Sequence, residues 1–490
     1  MRFASSQRHS EAQYFSWLIP GRRYISMIRE IPYSEDSVAL YRVLSDHPWA
    51  VFLDSGFPYC QQGRFDILTA DPYKTLVTRG GQTEVTGPDG SQFYPDDPFD
   101  LLKQHLPRQA SNETSFPFSG GAIGYFAYDL GRRLEEMPVI GKDSENIPEM
   151  MVGIYDWAIV VDHKLKQSRL VQHRFDATTK GICDRISQKL TGDPDNLSNG
   201  GFFRVMGPVA SNMSPETYGQ AFRRIKHYLL EGDCYQVNLA QRFSARCEGD
   251  PWIAYEALRK LNAAPFSAYL GLPGVQVLSS SPERFLKVEA GKVESKPIKG
   301  TRPRYDDPAK DRQQISALEN SIKDRAENLM IVDLLRNDIG KTCRPGSVKV
   351  PKLFDVESFA TVHHMVSTVC GQLAEGKHPI DLLKGCFPGG SITGAPKIRA
   401  MEIIEELEPN HRGVYCGSIG YIGYDGNMDT NITIRTLVHS EHEMRFWAGG
   451  GIVADSRETA EYQESFDKAA ALLILMDQLG ATEIPGSQVE

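Results

Sequence analysis

Cysteine chemistry is nearly absent from this chain. Its eight cysteines never form a C-x-x-C pair, so neither a zinc ribbon nor a disulfide framework is spelled out, and reduced thiols in the cytoplasm are expected. None sits in a G-x-C-x-G turn, so an exposed thiol nucleophile of that kind is missing. Apolar runs are short: none reaches the roughly 18 residues that a membrane helix needs. Residues 1–20 carry scattered polar and charged side chains where a secretory signal would have an apolar core. No fixed period recurs, which excludes a solenoid. Positive charge is in the minority, 54 Lys and Arg against 63 Asp and Glu, for a net charge of −9. That balance argues against a general nucleic-acid surface, and an anionic substrate would need locally gathered Lys, Arg or metal.

What is present is ordinary globular usage, 41% hydrophobic and 24% charged. The length suits a large core, and at roughly 150 residues per domain it allows about three domains or one large α/β unit with an N-terminal extension. Residues 20–190 read as short mixed strands and turns, with strands at 50–53, at 75–85 around Gly80-Gly81, and along the apolar run 154–161. The stretch 191–201, TGDPDNLSNGG, reads as a linker. Residues 202–480 alternate strands and helices, beginning with a helix whose start is marked by Ser214 ahead of Pro215 and whose end is marked by Gly232. The class is α/β in the α+β sense.

Two later helices carry charge in unusual places. The first is predicted from about 311 to 338. At 100° per residue, Ile315, Leu318, Ile322, Leu329 and Asp333 share one face, and Asp324, Glu327, Ile331 and Leu335 share a second arc. The second starts at Asp455-Ser456, has Glu458 as a capping-box-like signal, and stops at Gly480. There Glu461, Glu464 and Lys468 lie on the stripe of Leu472, Leu475 and Leu479. Charged residues usually occupy a solvated face, but carboxylates aligned with leucines point inward, where they need a cation. Carboxylate pairs at i, i+3 on two helices suit a hard cation with oxygen ligands, Mg²⁺. Without His or Cys among them, zinc is disfavoured.

Residues 279–304, SSSPERFLKVEAGKVESKPIKGTRPR, read as a hairpin turning at Ala290-Gly291. A three-residue loop sets Glu283 opposite Lys299, whereas a two-residue loop shifts the register by one and puts them on opposite faces. Pro297 weakens the ladder in either case. Gly300 lets the backbone beside Lys299 approach a ligand closely. Residues 387–397, FPGGSITGAPK, form a glycine-rich turn ahead of a helix at 398–408, where free amides and Lys397 favour an anion. It is not a P-loop, because Ala-Pro-Lys follows Gly394. A second glycine turn is expected in AGGGIVADS, 448–456, opening onto the carboxylate helix.

In chain order, SPERF, PIKGTRPR, DRAENLMIVDLLRND, PGGSITGAPK, GNMDTNITIRT, and GGGIVADS with EYQESFDK occupy about 205–480. Together they resemble the chorismate-utilising enzymes. HPWAVFLDSG (47–56), GRFDILTADP (63–72) and GGAIGYFAYDLGRR (120–133) extend the resemblance into the N-terminal region. It implies two antiparallel β-sheets flanked by helices, with the active site between them. It also implies Mg²⁺ held by Glu327 and Glu464, with Asp324 and Glu461 as outer or water-mediated ligands. Glu283 takes the place of the general acid, and His364 that of the family histidine near the enolpyruvyl group, its neighbour His363 being structural. Contacts to chorismate fall on Gln236, Thr301, Ser391, Thr393, Lys397, Tyr415, Arg435, Lys468 and the amides of Gly449, Gly450 and Gly451.

Two positions sort the branches. Gln236 stands where the water-using isochorismate and salicylate synthases carry a lysine, so the ammonia-using branch is implied. PIKGT stands where anthranilate synthases read PIAGT, so Lys299 marks the branch that aminates C4 of chorismate on the way to 4-aminobenzoate and folate. Lys299 is then the nucleophile, and anthranilate synthase component I is the alternative. Glutaminase machinery is missing from the chain, so a separate glutamine amidotransferase subunit is the implied source of ammonia. A tryptophan pocket matches Ser55, Gln62, Gly63, Arg64, Phe65, Pro265, Phe266 and Ser267.

Overall fold

The computed structural model describes residues 27–107, 116–191, 201–359 and 362–480. Residues 1–20, read above as carrying no secretory signal, and nearly all of the linker at 191–201 lie outside the described residues. Among the described residues, two twelve-stranded antiparallel sheets face one another, with helices on their outer sides.

Alternation along the strands explains the layers. In Ala50–Asp54, Val51 points into the space between the sheets, while Phe52 points to the helix-covered side. Ala268 and Leu270 likewise face the inter-sheet core, and Tyr269 between them faces outward onto Trp252. The period of two therefore feeds two cores at once. Such strands are buried on both faces, and Met150–Tyr155 and Trp157–Asp162 are buried at every residue.

Both sheets draw on both halves of the chain. Ala50–Asp54 pairs with Phe266–Leu272 in one sheet, and Gly121–Phe126 pairs with Ser418–Gly423 in the other. The apolar run 154–161 is not one strand. Met150–Tyr155 belongs to one sheet and Trp157–Asp162 to the other. Asp156 makes the corner, accepting from the Asp176 amide at 3.1 Å and the Thr179 hydroxyl at 2.9 Å.

Three other expectations change. The helix expected over 311–338 is two helices, Pro308–Glu319 and Ile322–Gly340. Ser321 caps the second by accepting from the Asp324 amide at 3.3 Å. The break resets the helical phase, so the face joining Ile315 to Leu329 does not form, and Ile322 and Leu329 are 85% and 51% exposed. The other arc survives, with Ile331 and Leu335 buried. In the 279–304 segment, Ala290 and Gly291 (φ 48° and 74°) make a two-residue loop that pairs Lys287 with Glu294. Beyond Pro297 the chain leaves that hairpin, and Ile298–Pro303 continues along Val362–Gln372. Finally, Gly449–Gly451 are not a turn but part of strand Glu443–Ile452, paired with Leu239 and Ala240 among others.

Because each sheet is continuous across the two halves, a chain begun at residue 202 would leave Phe266–Leu272 and Ser418–Gly423 as unpaired apolar edges. We expect it to aggregate when the full chain does not, as measured by size-exclusion chromatography with light scattering. A soluble monomer with intact strand content would show that the second half folds independently.

Candidate active site

Two segments that pass from one sheet to the other lie side by side at the site. Val275–Ser281 belongs to the first sheet and Arg284–Glu289 to the second, so Glu283 sits at the crossing. Met428–Asn431 and Thr436–Ser440 make the reverse passage, with Arg435 at its end in the left-handed region (φ 51°). The crossings brace one another. The Ile432 amide donates to the Glu283 carbonyl at 3.0 Å, the Ser281 hydroxyl to the Ile432 carbonyl at 2.5 Å, and the Ser280 amide to the Arg435 carbonyl at 3.1 Å. Irregular backbone at a sheet boundary thus becomes a rigid mount for an acid and a guanidinium.

Lys299 comes from the second sheet. A bulge at Gly300 (φ 74°) sets Lys299 opposite Met365 and Thr301 opposite His364. A Cβ at residue 300 would meet Leu318 Cδ1 at 2.7 Å and Asp324 Cγ at 2.8 Å, so the bulge needs glycine there. The Lys299 amine donates to the Ser391 carbonyl at 3.2 Å, and the Ser391 hydroxyl donates to Glu283 Oε1 at 2.9 Å. The acid and the lysine are therefore neighbours through a third segment, not through the ladder position considered for the hairpin. Burial lowers the Lys299 pKa against the pull of Glu283 and Glu327. Burial also raises the Glu283 pKa, against Lys299 and the Ser391 hydrogen bond. Both shifts favour a free amine beside a protonated carboxyl.

Carboxylates of the two helices come near one another, with Lys323 between Glu327 and Glu461. Glu461 Oε2 and Glu464 Oε1 would stand 3.1 and 3.3 Å from a Cβ at Gly450, so the glycine strand lies directly beneath them. Burial raises the pKa of Glu327 and of Glu461, with neighbouring carboxylates adding to it. For Glu464, burial is outweighed by Lys468, whose amine lies at 2.7 Å and also donates to the Gly449 carbonyl at 3.0 Å. Lys323 stands 3.9 Å from both Glu327 and Glu461, and Arg302 pairs with Asp324 at 3.0 Å. Sequence reading missed both cations, although Lys323 at i, i+4 from Glu327 was a visible signal. Among the described residues, no three His, Cys, Asp or Glu side chains form a ready-made metal cage. The donors are nonetheless carboxylate oxygens gathered from two helices, which is the chemistry a hard divalent cation takes.

The remaining residues divide. Gln236 is buried with both amide atoms lacking a partner, packed under Gly451. An orphaned buried amide is costly unless a ligand or water completes it. Burial lowers the Arg435 pKa. His364 accepts from or donates to Thr301 at 2.9 Å, and burial beside Arg435 holds its pKa at about 4, so it is a neutral imidazole at pH 7. Tyr415 is buried against Trp447, the rings parallel at 6.0 Å. Thr393 donates to the Gly389 carbonyl at 3.1 Å, and its own carbonyl accepts from the Asn238 amide at 2.8 Å. His363 binds Asp311 and Ser358 at 2.9 and 2.8 Å, a structural position. Lys397, read from the sequence as an anion contact, holds the Cys386 carbonyl at 2.8 Å and Asp338 at 2.5 Å instead.

Away from this cluster lies a cavity of about 240 Å³. Ser55, Gln62, Gly63, Arg64, Phe65, Pro265, Phe266 and Ser267 line it together with Arg284 and Tyr421. Ser55 is fixed there by two hydrogen bonds to the buried carboxylate of Asp66, at 2.8 and 2.7 Å.

This architecture and its cluster of carboxylates define a class. A family model described as chorismate binding enzyme matches residues 57–474, and the chain belongs to that family. It is 49% identical over 448 residues to the aminodeoxychorismate synthase component 1 of Salmonella typhimurium, covering 90% of this chain and 96% of that one. To the protein of the same name in Escherichia coli it is 50% identical over 433 residues, covering 88% and 94%. Among solved structures, anthranilate synthase component I from Streptococcus pneumoniae superposes with a TM-score of 0.76 at 32% identity, covering 84% of this chain and 92% of that one.

The buried Glu283 gives a pH test. A carboxyl whose folded pKa is raised contributes stability in full below its unfolded value, near 4.3, and loses it as pH rises through the folded pKa. Glu283→Gln removes that loss while keeping an acceptor for Ser391. Its melting temperature relative to wild type should therefore climb as the pH is raised from about 4 towards neutrality. A constant difference across that range would show that Glu283 is not held up by burial.

Proposed function

We propose that this chain aminates chorismate at C4, giving 4-amino-4-deoxychorismate for 4-aminobenzoate and folate synthesis, with ammonia supplied by a separate glutamine amidotransferase subunit. The observation that carries this reading is Lys299 in the PIKGT strand, half-buried beside the buried Glu283, with both groups biased towards their neutral forms. The relatives of nearly 50% identity support it. Their designation as component 1 supports a partner. All eight thiols of this chain are free, seven of them with pKa values raised by burial, which supports a thiolate for glutamine hydrolysis coming from elsewhere. Free thiols also suit the cytoplasm. Among the described residues, no helix is long and apolar enough to cross a membrane.

The chemistry runs through two displacements. The Lys299 amine attacks C2 of chorismate, the ring double bonds shift, and the C4 hydroxyl leaves as water with the proton of Glu283. The lysine adduct returns a proton to the Glu283 carboxylate. Ammonia then attacks C4, the double bonds shift back, Lys299 leaves C2 as a free amine by taking the Glu283 proton, and the new C4 ammonium returns a proton to Glu283. The net change is chorismate plus ammonia to aminodeoxychorismate plus water. Gln236 would hold the incoming ammonia or the ring hydroxyl; its unpartnered buried amide supports that role. Arg435, Tyr415 and the backbone of Gly449–Gly451 take the enolpyruvyl carboxylate, and neutral His364 stands beside the enolpyruvyl group. Thr301, Ser391, Thr393 and Lys468 line the ring site.

Mg²⁺ suits the carboxylate donors; Glu327 and Glu464 would hold it, with Asp324 and Glu461 behind them, and it would supply Lewis-acid polarisation of the ring carboxylate. The cavity at Ser55 is assigned to tryptophan, its aromatic walls of Phe65, Phe266 and Tyr421 and its polar rim suiting an indole amino acid.

Incubation with chorismate, Mg²⁺ and ammonium should yield a product that becomes 4-aminobenzoate only after a lyase is added. Fluorescent anthranilate appearing without any lyase would overturn the reading in favour of amination at C2. With ammonia withheld, the peptide containing PIKGTR should gain the mass of dehydrated chorismate, and Lys299→Ala should lose that adduct. An unmodified wild-type peptide, with unaltered product from the variant, would reduce Lys299 to a carboxylate-binding cation. Glu327→Ala and Glu464→Ala should both abolish turnover; Glu327→Ala should leave the melting temperature unchanged or higher, because it relieves like-charge repulsion, whereas Glu464→Ala gives up the Lys468 ion pair and should lower it slightly. Near-normal, Mg²⁺-dependent rates in those variants would remove the carboxylates from the metal site.

A further inference from the structure

Ser391 touches both reacting groups, the Lys299 amine through its carbonyl and the Glu283 carboxyl through its hydroxyl. Where the 387–396 turn sits therefore sets the spacing of acid and nucleophile. Helix Pro379–Cys386 ends just before this turn and helix Lys397–Leu407 begins just after it. Lys397 reaches back across the base, its amine donating to the Cys386 carbonyl at 2.8 Å and standing 2.5 Å from Asp338 Oδ2. Asp338 is buried, and Lys341 meets its other oxygen at 2.9 Å. It belongs to helix Ile322–Gly340, about three turns beyond Glu327 and within about 20° of the same face. On the same helix, Leu334 packs so closely under Gly390 that a Cβ there would strike it.

We propose that Asp338 and Lys397 form a strut that positions Ser391, and through it Glu283 and Lys299, against the helix that carries Glu327. Lys397 is then a positioning residue and not a substrate contact. Its amine is committed to Cys386 and Asp338, and a buried carboxylate already cancels the charge that an anion would seek. One helix thereby registers two halves of the chemistry, the carboxylate cluster near its start and the acid–amine pair through its far end. Displacing a reacting group by a fraction of an ångström is enough to slow a step that depends on alignment. This inference rests on the roles given above to Lys299 and Glu283.

The test uses the full chain and three variants, Lys397→Met, Lys397→Arg and the double variant Asp338→Asn with Lys397→Met. The double variant is the decisive one, because it leaves no unpaired buried charge and should melt close to wild type even where Lys397→Met fails to fold. We expect kcat with ammonium to fall about tenfold or more while KM for chorismate stays within about twofold. Lys397→Arg keeps the charge but not the reach, and should show a smaller drop of the same kind. With ammonia withheld, the Lys299 adduct should form in the variants to the wild-type stoichiometry but more slowly. A loss of folded molecules would instead lower the final stoichiometry at an unchanged rate, and that result would overturn the strut. A wild-type kcat in the folded variants would overturn it too, as would a raised KM with kcat unchanged, which would make Lys397 a substrate contact. A wild-type chain that aminates no chorismate would instead overturn the function proposed above, and the two failures are distinct.

Discussion

The amine of half-buried Lys299 is partly withdrawn from water among carboxylates, and the rest of the site is arranged around that desolvation. Each unit of pKa displacement corresponds to about 1.4 kcal/mol of preference between protonation states, so a buried lysine is an expensive group to hold. Glu283 and Glu327 pull its proton back, and the Ser391 carbonyl satisfies the amine in either form. Burial tilts the amine towards its free form and the neighbouring carboxyl towards its protonated form, the two states that the proposed chemistry uses. The cost is offset elsewhere, by strands buried on both faces and by aromatic packing such as Trp252 stacked on Tyr41 at 4.0 Å.

A second constraint follows from the two sheets. Regular strands send side chains up and down. Chemistry here gathers where the ladder is interrupted, at the crossings near Glu283 and Arg435, at the Gly300 bulge, and at the Gly394–Ala395 pair that docks on Gln236–Val237. Each irregularity is braced by another: the two crossings hydrogen-bond to each other, and the buried Arg412–Glu408 pair ties the Ile392 carbonyl to the Asn238 carbonyl. The glycines at 449–451 serve the opposite purpose. They keep a regular strand bare, so that Glu461, Glu464 and Gln236 can stand against its backbone.

Local pattern was sufficient for some of this. The stripe of Glu461 and Glu464 with Leu472, Leu475 and Leu479 is a 3.6-residue signal, and those leucines are buried. Ser214 and Gly232 bound their helix, Pro215–Glu231, as cap and left-handed stop. The family motifs carried the two-sheet architecture, because they name a whole long-range arrangement at once. What the pattern of residues by itself could not separate were two hairpin registers differing by one residue, or one long helix from two. Asn320-Ser321 interrupts the helix through a cap whose value depends on what the second helix packs against.

The sequence determined which residue types stand at which spacing: inward carboxylates on two helices, a lysine before a glycine, no thiol in a reactive turn. These are properties of neighbours within a turn or a strand, and elementary periodicity is enough to read them. The tertiary structure decided who meets whom. Lys299 meets Ser391 across 92 positions of chain, Glu283 meets the same serine across 108, and Lys397 finds Asp338 instead of an anion. The physical reason is that a lysine or a carboxylate carries the same local signal whether it faces solvent, a substrate or a buried counter-charge. Only the pairing of distant strands and helices, fixed by which apolar faces can be buried together, selects among them.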